Sequence, residues 1–187
     1  MKKASVNFEC IIFMKVGYHG EESFEEIIRR KKQEEKINGK FFWGYSSTLC
    51  HPLTQVRPFV MEAFENGLKP VVLFSYTPSK HLFQTKQVKE YSIDKKEWYP
   101  LPSGISTKGS RYALVCKNLQ ELNALINLNM YKVAVGQNKG KPLGEVIRFR
   151  VDKACAFFDP DGIDREEKKV KISYIAEITE PFAVFVR

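Results

Sequence analysis

Cysteine is sparse in this sequence, and its four copies lie far apart, at Cys10, Cys50, Cys116 and Cys155. No two of them form a CxxC pair, the spacing that is typical of zinc sites and redox motifs. Secreted disulfide frameworks are denser in cysteine and occur in shorter chains. The cysteine usage therefore predicts a reduced, cytoplasmic protein, and we expect neither a metal site nor a bound cofactor.

Long apolar runs are also absent from the sequence. No segment approaches the roughly 20 consecutive apolar residues that a membrane-spanning helix needs. The two lysines after Met1 resemble the start of a signal peptide, but Asn7 and Glu9 interrupt the apolar core that would have to follow. The sequence thus predicts a protein without a membrane partner.

Acidic residues are outnumbered by basic ones. The chain has 30 Lys and Arg against 22 Asp and Glu, which gives a formal net charge of +8. Such an excess favours an anionic ligand, a nucleotide or a nucleic acid as partner. Much of it lies in residues 107–150, where eight Lys and Arg accompany only two acids, Glu121 and Glu145. A second charge run, residues 29–36, mixes both signs and is typical of a solvated helix face.

Length and pattern predict one α+β domain spanning residues 1–187. Strands are predicted at 6–16, 41–45, 71–76, 111–116, 131–135, 145–151, 154–158, 170–178 and 182–186, with a hairpin over 87–100. Helices are predicted from the capping box of Ser23 and Glu26 to Gly39, over 58–66 and over 118–127. Because strands and helices do not alternate regularly, we expect a curved, mostly antiparallel or mixed sheet, or a pseudobarrel, with about three short helices packed outside.

The densest group of candidate site residues lies in residues 41–52. On a strand, Phe41, Trp43 and Tyr45 share one face, and Gly44 lets another group approach the backbone on the opposite face. The loop that follows adds polar side chains, namely Ser46, Ser47, Thr48, Cys50 and His51. These could hydrogen-bond a planar ligand stacked on an aromatic ring. The alternative is an aromatic core strand that ends in an ordinary polar turn.

The Cys50-His51 pair raises the possibility of nucleophilic catalysis. Adjacent residues of an extended chain point to opposite sides, so these two cannot pair with each other. A dyad would need His19 or His81 from elsewhere in the fold. We therefore expect no catalytic residue, and a cysteine- or histidine-dependent hydrolase or transferase that uses Cys50 or His51 is the alternative.

A glycine-rich turn over residues 136–144 contains a Gly-Lys pair, as phosphate-binding loops do. Its spacing is one residue shorter than the Walker motif, Pro142 replaces the required Ser or Thr, and a strand is expected to follow. This excludes a Walker-type nucleotide hydrolase. The turn could still meet a phosphate through its backbone amides and through Lys139 and Lys141.

The order of elements in residues 6–80, with a capped helix, the Trp43-Gly44 strand and the strand that ends in Ser75-Tyr76, resembles the PUA-like superfamily, in particular its EVE and ASCH domains. The resemblance implies a curved pseudobarrel whose aromatic pocket binds a modified base or a nucleic acid. It implies Trp43, Tyr45, Ser75 and Tyr76 as pocket residues.

Together these patterns predict a non-enzymatic binding module for a phosphate-bearing ligand: a nucleotide, a nucleotide-derived signal, a modified base or a nucleic acid. Such a module could act by sequestering its ligand. The predicted stacking residues are Trp43 and Tyr45, the hydrogen-bonding residues Ser46, Thr48, His51 and Tyr76, and the phosphate-binding residues Arg57, Arg111, Lys139 and Lys141. A protein-interaction module that docks an acidic partner is a further alternative.

Overall fold

The computed structural model describes residues 7–46, 49–81, 85–147 and 152–187. These residues form nine strands: β1 Cys10–His19, β2 Phe41–Tyr45, β3 Val71–His81, β4 Glu90–Ser92, β5 Tyr99–Pro100, β6 Tyr112–Asn127, β7 Tyr131–Val133, β8 Lys153–Phe158 and β9 Lys169–Val186. They also form three α-helices, α1 Phe24–Asn38, α2 Arg57–Glu65 and α3 Leu143–Val146, and a π-helical turn, Pro52–Val56, directly before α2. Thr48, one of the predicted hydrogen-bonding residues, lies outside the described residues.

All nine strands belong to one sheet, in which seven follow the order β2-β6-β9-β3-β1-β8-β7. Strand β4 pairs with β9 and with β5 beside this path. Strands β1 and β3 run parallel, and the other pairings among the described strands are antiparallel. The predicted α+β fold with a mixed sheet and three short helices is therefore confirmed, and the sheet is open rather than closed.

Helix α1 begins and ends where its sequence predicts. The Ser23 hydroxyl accepts from the Glu26 backbone, the Glu26 carboxylate accepts from the Ser23 backbone, and Gly39 takes the left-handed conformation at the C-terminus. The prediction that residues 29–36 form a solvated helix face is wrong in part, because Lys31 and Glu34 are only 2% and 1% exposed. They form an ion pair at 2.9 Å, which offsets part of the cost of burying the two charges.

The core occupies both faces of the sheet, because alternate residues of a strand point to opposite sides. Ile12 and Met14 of β1 pack with α1 and α2 on one face, whereas Ile11 and Phe13 pack on the other with residues of β7 and α3. Burial on both faces fixes the register of the central strands, since a slip of one residue would exchange the two sets.

The helix predicted over 118–127 is wrong, because β6 continues as a strand through this region. Asn118 and Asn123 have positive φ, and the pairing with β9 shifts register near both of them. The Glu35 carboxylate accepts from the backbone N–H groups of Asn118 and Leu119. Pairing with a long neighbouring strand thus outweighs a local helix signal.

Other elements also differ from prediction. Strand β1, predicted over 6–16, runs over Cys10–His19. Strand β3 runs on to His81, beyond the end predicted at residue 76. The helical turn α3 lies where a strand was predicted over 145–151, and residues 148–151 lie outside the described ranges. The two predicted strands over 170–178 and 182–186 are one bent strand, β9.

In the part of the chain that the structure describes, the longest helix has 15 residues and is strongly charged, so no helix is suited to cross a bilayer. The cytoplasmic location stays a prediction.

Candidate functional site

A cavity of about 820 Å³ opens at the carboxyl ends of the two parallel strands, β1 and β3. Its walls come from residues 14–19 of β1, residues 77–80 of β3 and residues 43–46 at the end of β2. Helix α1, the 106–110 segment and the start of β8 complete it. The volume lies within the range of roughly 300–1,000 Å³ that is usual for small-molecule sites.

Gly17 allows the two parallel strands to meet tightly at the edge of the cavity. The β1–β3 register shifts between Val16 and Tyr18. A Cβ atom at Gly17 would lie 2.8 Å from both the Thr77 carbonyl oxygen and the Ser79 hydroxyl. The bulge thus brings residues 77–80 of β3 to the cavity, and a side chain at Gly17 would block this approach.

The inner wall is formed by buried apolar and aromatic side chains, namely Met14, Val16, Ile27, Trp43 and Tyr45. The Trp43 ring packs on Phe74 with 4.3 Å between ring centroids. The Tyr45 hydroxyl donates to the Cys50 carbonyl oxygen at 2.5 Å, and burial raises its pKa well above the ordinary value. Tyr45 therefore stays neutral and contributes ring surface to the cavity.

Cationic side chains outnumber acids around the cavity. Among the described residues, six cations line it, Lys15, Arg30, Lys31, Lys80, Lys108 and Lys153, against two acids, Glu22 and Asp152. A cleft lined mainly by one sign of charge focuses its field and attracts ligands of the opposite sign. The cavity is therefore suited to an anion.

Two of these cations, Arg30 and Lys31, connect neighbouring segments of the cavity wall through hydrogen bonds. Arg30 bonds the Glu22 carboxylate through two nitrogens and the Glu34 carboxylate through a third, and both Arg30 and Lys31 donate to the Ser106 carbonyl oxygen. Burial lowers the pKa of Lys31 to about 8, although the Glu34 carboxylate acts in the opposite direction. This cluster fastens the 106–110 segment to α1.

Three of the other cations, Lys80, Lys108 and Lys153, have fewer or longer contacts with acidic groups than Arg30 and Lys31 have. Lys153 places its Nζ 5.7 Å from the centre of the Tyr45 ring and 3.9 Å from an Asp152 oxygen. Lys108 reaches Glu22 at 3.9 Å. Lys80 is exposed and forms no ion pair with any residue that the structure describes. These three lysines are the cations best placed to meet an anionic group.

The structure brings three of the predicted site residues together on the cavity, namely Trp43, Tyr45 and Ser46. Gly44 does admit a close approach, as predicted, and the approaching group is Ser110 of the same chain. Two residues of β3 that the family resemblance implied lie outside the cavity lining: Ser75 is buried, and Tyr76 is 55% exposed with its ring 5.7 Å from that of Phe24.

His51 and Cys50 also lie outside the cavity lining. The His51 Nδ1 atom accepts from the Leu53 backbone at 3.2 Å and so caps the π-helical turn. Burial, assisted by the charges of Lys95 and Arg57, lowers the pKa of His51. Cys50 is fully buried. These placements give no support to nucleophilic chemistry by either residue.

The predicted phosphate-binding residues are spread over the surface. The Arg57 guanidinium donates to the Ala183 carbonyl oxygen. Arg111 is exposed just before β6, and Lys139 and Lys141 lie on the exposed turn before α3. The glycine-rich turn does come close to the π-helical turn Pro52–Val56, since a Cβ at Gly136 would lie 3.6 Å from the Gln55 amide nitrogen. Neither Lys139 nor Lys141 lines the cavity, however.

Sequence reasoning missed most of the residues around the cavity, in particular Lys15, Lys80, Lys108 and Lys153, with Thr77 and Ser79. Lys15 and Lys80 follow buried apolar runs on two strands that pair in parallel. Polar residues after two such runs are a usable signal, because the carboxyl ends of parallel strands lie side by side. Lys153 gives no comparable signal, since β8 is antiparallel to β1.

Comparison with family models, with curated proteins and with solved structures finds no match to this chain. Among the residues that the structure describes, no group of three His, Cys, Asp or Glu side chains is placed to hold a metal ion.

Proposed function

We propose that the cavity binds a small phosphate-bearing ligand, a nucleotide or a nucleotide-derived signal. The observation that carries this proposal is the combination of an aromatic inner wall, formed by Trp43 and Tyr45, with lysines around a cavity of about 820 Å³. Mostly apolar pockets with a few placed polar groups are the usual form of small-molecule sites. A nucleotide matches both parts, since its base is planar and its phosphate is anionic.

The burial of the lining residues favours one orientation of the ligand. Trp43 and Tyr45 are buried, whereas Lys80 and Ser79 are exposed. The base therefore lies inside against the aromatic rings, and the phosphate lies toward the exposed Lys80 and the half-buried Lys108 and Lys153. Lysine ammonium groups bind phosphate oxygens as point charges.

A single nucleotide fits this site better than a nucleic acid strand does. Proteins that bind single-stranded nucleic acids use an open basic groove in which successive bases stack on aromatic side chains. Here the two aromatic residues, Trp43 and Tyr45, line a single cavity walled by β1, β2 and β3, and Lys139 and Lys141 lie outside its lining. The function we propose is binding without chemistry, in which the protein sequesters its ligand. Membership of the PUA-like superfamily is part of this proposal and rests on the sequence resemblance.

Isothermal titration calorimetry tests the proposal with adenosine, guanosine, cytidine and uridine monophosphates and a short single-stranded oligonucleotide. We expect at least one nucleotide to bind at one site and to raise the Tm of the protein. The double variant Lys80→Met/Lys153→Met should bind that nucleotide at least about tenfold more weakly, since each charge-assisted hydrogen bond contributes about 1.5–3 kcal/mol.

The matched control is Lys139→Met/Lys141→Met, which removes the same charge from a turn outside the cavity lining. It should bind as the wild-type protein does. The proposal fails if no nucleotide binds, if the oligonucleotide binds more tightly than every nucleotide, or if the control variant loses as much affinity as the cavity variant.

A further inference from the structure

Three basic side chains converge on the last part of β9, outside the cavity lining, and we call them the His51 cluster: His51, Arg57 and Lys95. The centroid of the His51 ring lies 5.2 Å from that of Phe185, and the Lys95 Nζ lies 4.6 Å from the centre of the same ring. The Arg57 guanidinium donates to the carbonyl oxygen of Ala183, two residues earlier on the strand. The fold thus gathers basic groups from three distant positions around one short stretch of β9.

His51 presents an unpaired N–H group in this cluster. Its Nδ1 atom accepts from the Leu53 backbone at 3.2 Å, so the neutral imidazole carries its hydrogen on Nε2. No residue that the structure describes accepts from Nε2. The side chain is only half-buried, and this nitrogen keeps contact with solvent. A ligand can therefore reach the Nε2 hydrogen.

The cluster has no acidic side chain paired with it among the described residues. Neither Arg57 nor Lys95 forms an ion pair there. Asp94 acts on Arg57 from the same turn as Lys95, but its carboxylate accepts from the backbone N–H groups of Lys96 and Glu97. Like charges that the fold brings together repel unless an opposite charge joins them. An anion would supply that charge.

The two permanent charges of the cluster also act on His51. Burial is the largest cause that lowers the pKa of His51, and the charges of Lys95 and Arg57 lower it further. At neutral pH the imidazole is therefore uncharged. The cluster then consists of two cations and one neutral N–H donor.

Strained backbone surrounds the cluster. Among the described residues, six other than glycine have positive φ, and three of these lie here: Cys50 at 63°, Lys95 at 70° and Phe182 at 68°. Cys50 directly precedes His51, and Phe182 directly precedes Ala183. Residues with a side chain seldom adopt this conformation, and ligand sites are among the places where it concentrates. The backbone thus holds these groups in position at a conformational cost.

We propose that the His51 cluster is a second ligand site of this protein and binds a phosphate group. A phosphate monoester has three acceptor oxygens and nearly two negative charges, so it can accept from the guanidinium, the ammonium and the imidazole N–H together. Arg57 retains N–H groups besides the one that bonds Ala183. A carboxylate has fewer oxygens and a single charge. This site lies outside the cavity lining and does not rest on the proposed function.

The imidazole NMR signal of His51 tests this site. The chain has three histidines, and His51→Asn identifies the signal, since its amide oxygen can cap Leu53 in place of Nδ1. Inorganic phosphate is titrated at constant pH and at an ionic strength held constant with sodium chloride. We expect a saturable change in the His51 signal. Lys95→Met should bind phosphate at least about fivefold more weakly, and Lys95→Arg should retain the affinity.

The matched control is Lys96→Met, which removes the same charge from the next residue of the same turn. It should bind phosphate as the wild-type protein does. The inference is overturned if the His51 signal shows no saturable change up to about 50 mM phosphate. It is also overturned if Lys96→Met weakens binding as much as Lys95→Met does.

The cavity variant Lys80→Met/Lys153→Met separates this inference from the proposed function. It should leave the response of His51 to phosphate unchanged, and loss of that response would overturn the second site. In the same variant, a nucleoside monophosphate is compared with inorganic phosphate at the His51 signal. Tighter binding of the nucleotide would identify a nucleotide phosphate as the ligand group, and equal binding would identify free phosphate. Failure of every nucleotide to bind in the cavity would overturn the proposed function alone.

Discussion

Arg30 binds the carboxylate of Glu22 through two hydrogen bonds, 2.8 Å from Nε to Oε1 and 2.7 Å from Nη2 to Oε2. Glu22 lies just after β1, and its backbone exchanges two hydrogen bonds with His19. The same guanidinium reaches Ser106 across the cavity wall. One side chain of α1 thus ties the end of β1 to the 106–110 segment, and the shape of the cavity depends on this pair.

We predict that Glu22→Gln destabilises the protein by about 1–3 kcal/mol near neutral pH, because it leaves the partly buried Arg30 guanidinium short of a negative partner. Urea unfolding measures the change. Glu62→Gln, an exposed position on α2, is the control and should shift the midpoint little. Equal midpoints for the wild-type protein and Glu22→Gln would show that the pair does not hold the wall.

The stability difference between the wild-type protein and Glu22→Gln should depend on pH. Burial alone would raise the pKa of Glu22, but the hydrogen bonds and charge of Arg30 lower it below the ordinary value of 4.5. A carboxylate with a lowered pKa stabilises the folded state above its ordinary pKa, and this contribution is lost as the pH falls through the folded-state pKa. The difference should be constant near neutral pH and shrink in acid. A difference that grows in acid would contradict this assignment.

Gly44→Ala should destabilise the protein by about 1–3 kcal/mol through overpacking. The added Cβ would lie 3.0 Å from Cβ of Ser110 and from Cγ2 of Thr107, and closer still to the Ser110 hydroxyl. Ser110→Gly removes two of these three contacts. In a double-mutant cycle, Ser110→Gly should therefore recover at least about 0.5 kcal/mol of the loss. Strict additivity of the two changes would show that the strain comes from elsewhere.

The four cysteines should react slowly and at one common rate with an alkylating reagent in the native protein, since all are buried. Burial, with a smaller contribution from Glu9, raises the pKa of Cys10 to about 12, and burial raises that of Cys116 as well. A hydrogen bond with Cys50 is the largest cause of the raised pKa of Cys155. Mass spectrometry after a time course measures each site, and fast selective labelling of Cys50 would favour the hydrolase or transferase alternative.

Salt should weaken nucleotide binding only modestly. A mononucleotide that contacts about three lysines releases few counterions on binding, so its affinity depends little on salt. A nucleic acid strand with 6–10 phosphate contacts, in contrast, loses about 10³–10⁵ in affinity between about 50 and 200 mM salt. We expect a loss of less than about tenfold over that range. A steep loss would point to a nucleic acid strand as the ligand.

Local chemistry made part of this structure predictable from the sequence. Ser23 and Gly39 mark the two ends of α1, and alternation places Trp43 and Tyr45 on one face of β2. The course of β6 was not predictable, because Asn118 is held by Glu35, which lies 83 positions earlier in the chain. Long-range contacts of this kind leave no local pattern.

The candidate site was predictable only on its aromatic side. Trp43 and Tyr45 belong to a dense group of aromatic and polar residues in the sequence. Lys80 and Lys153 are distant from this group in the sequence, and only the arrangement of the strands in the sheet brings all four residues to one cavity. The basic excess of residues 107–150 does not collect at the cavity: Lys108 lines it, whereas Lys132 pairs with Asp159 at 3.0 Å on another part of the surface. Net charge thus predicted an anionic ligand, but it did not predict which part of the surface gathers the cationic side chains.

The most direct test of the central claim is the fluorescence of Trp43. The chain has two tryptophans, so Trp98→Phe leaves Trp43 as the only tryptophan and keeps an aromatic ring beneath Arg187. Titration of this variant with the nucleoside monophosphates should give a saturable change in Trp43 emission with at least one of them. Addition of Lys80→Met/Lys153→Met should shift that titration to at least about tenfold higher concentration. Nucleotide binding seen by calorimetry without any change in Trp43 emission, or no binding at all, would contradict the account.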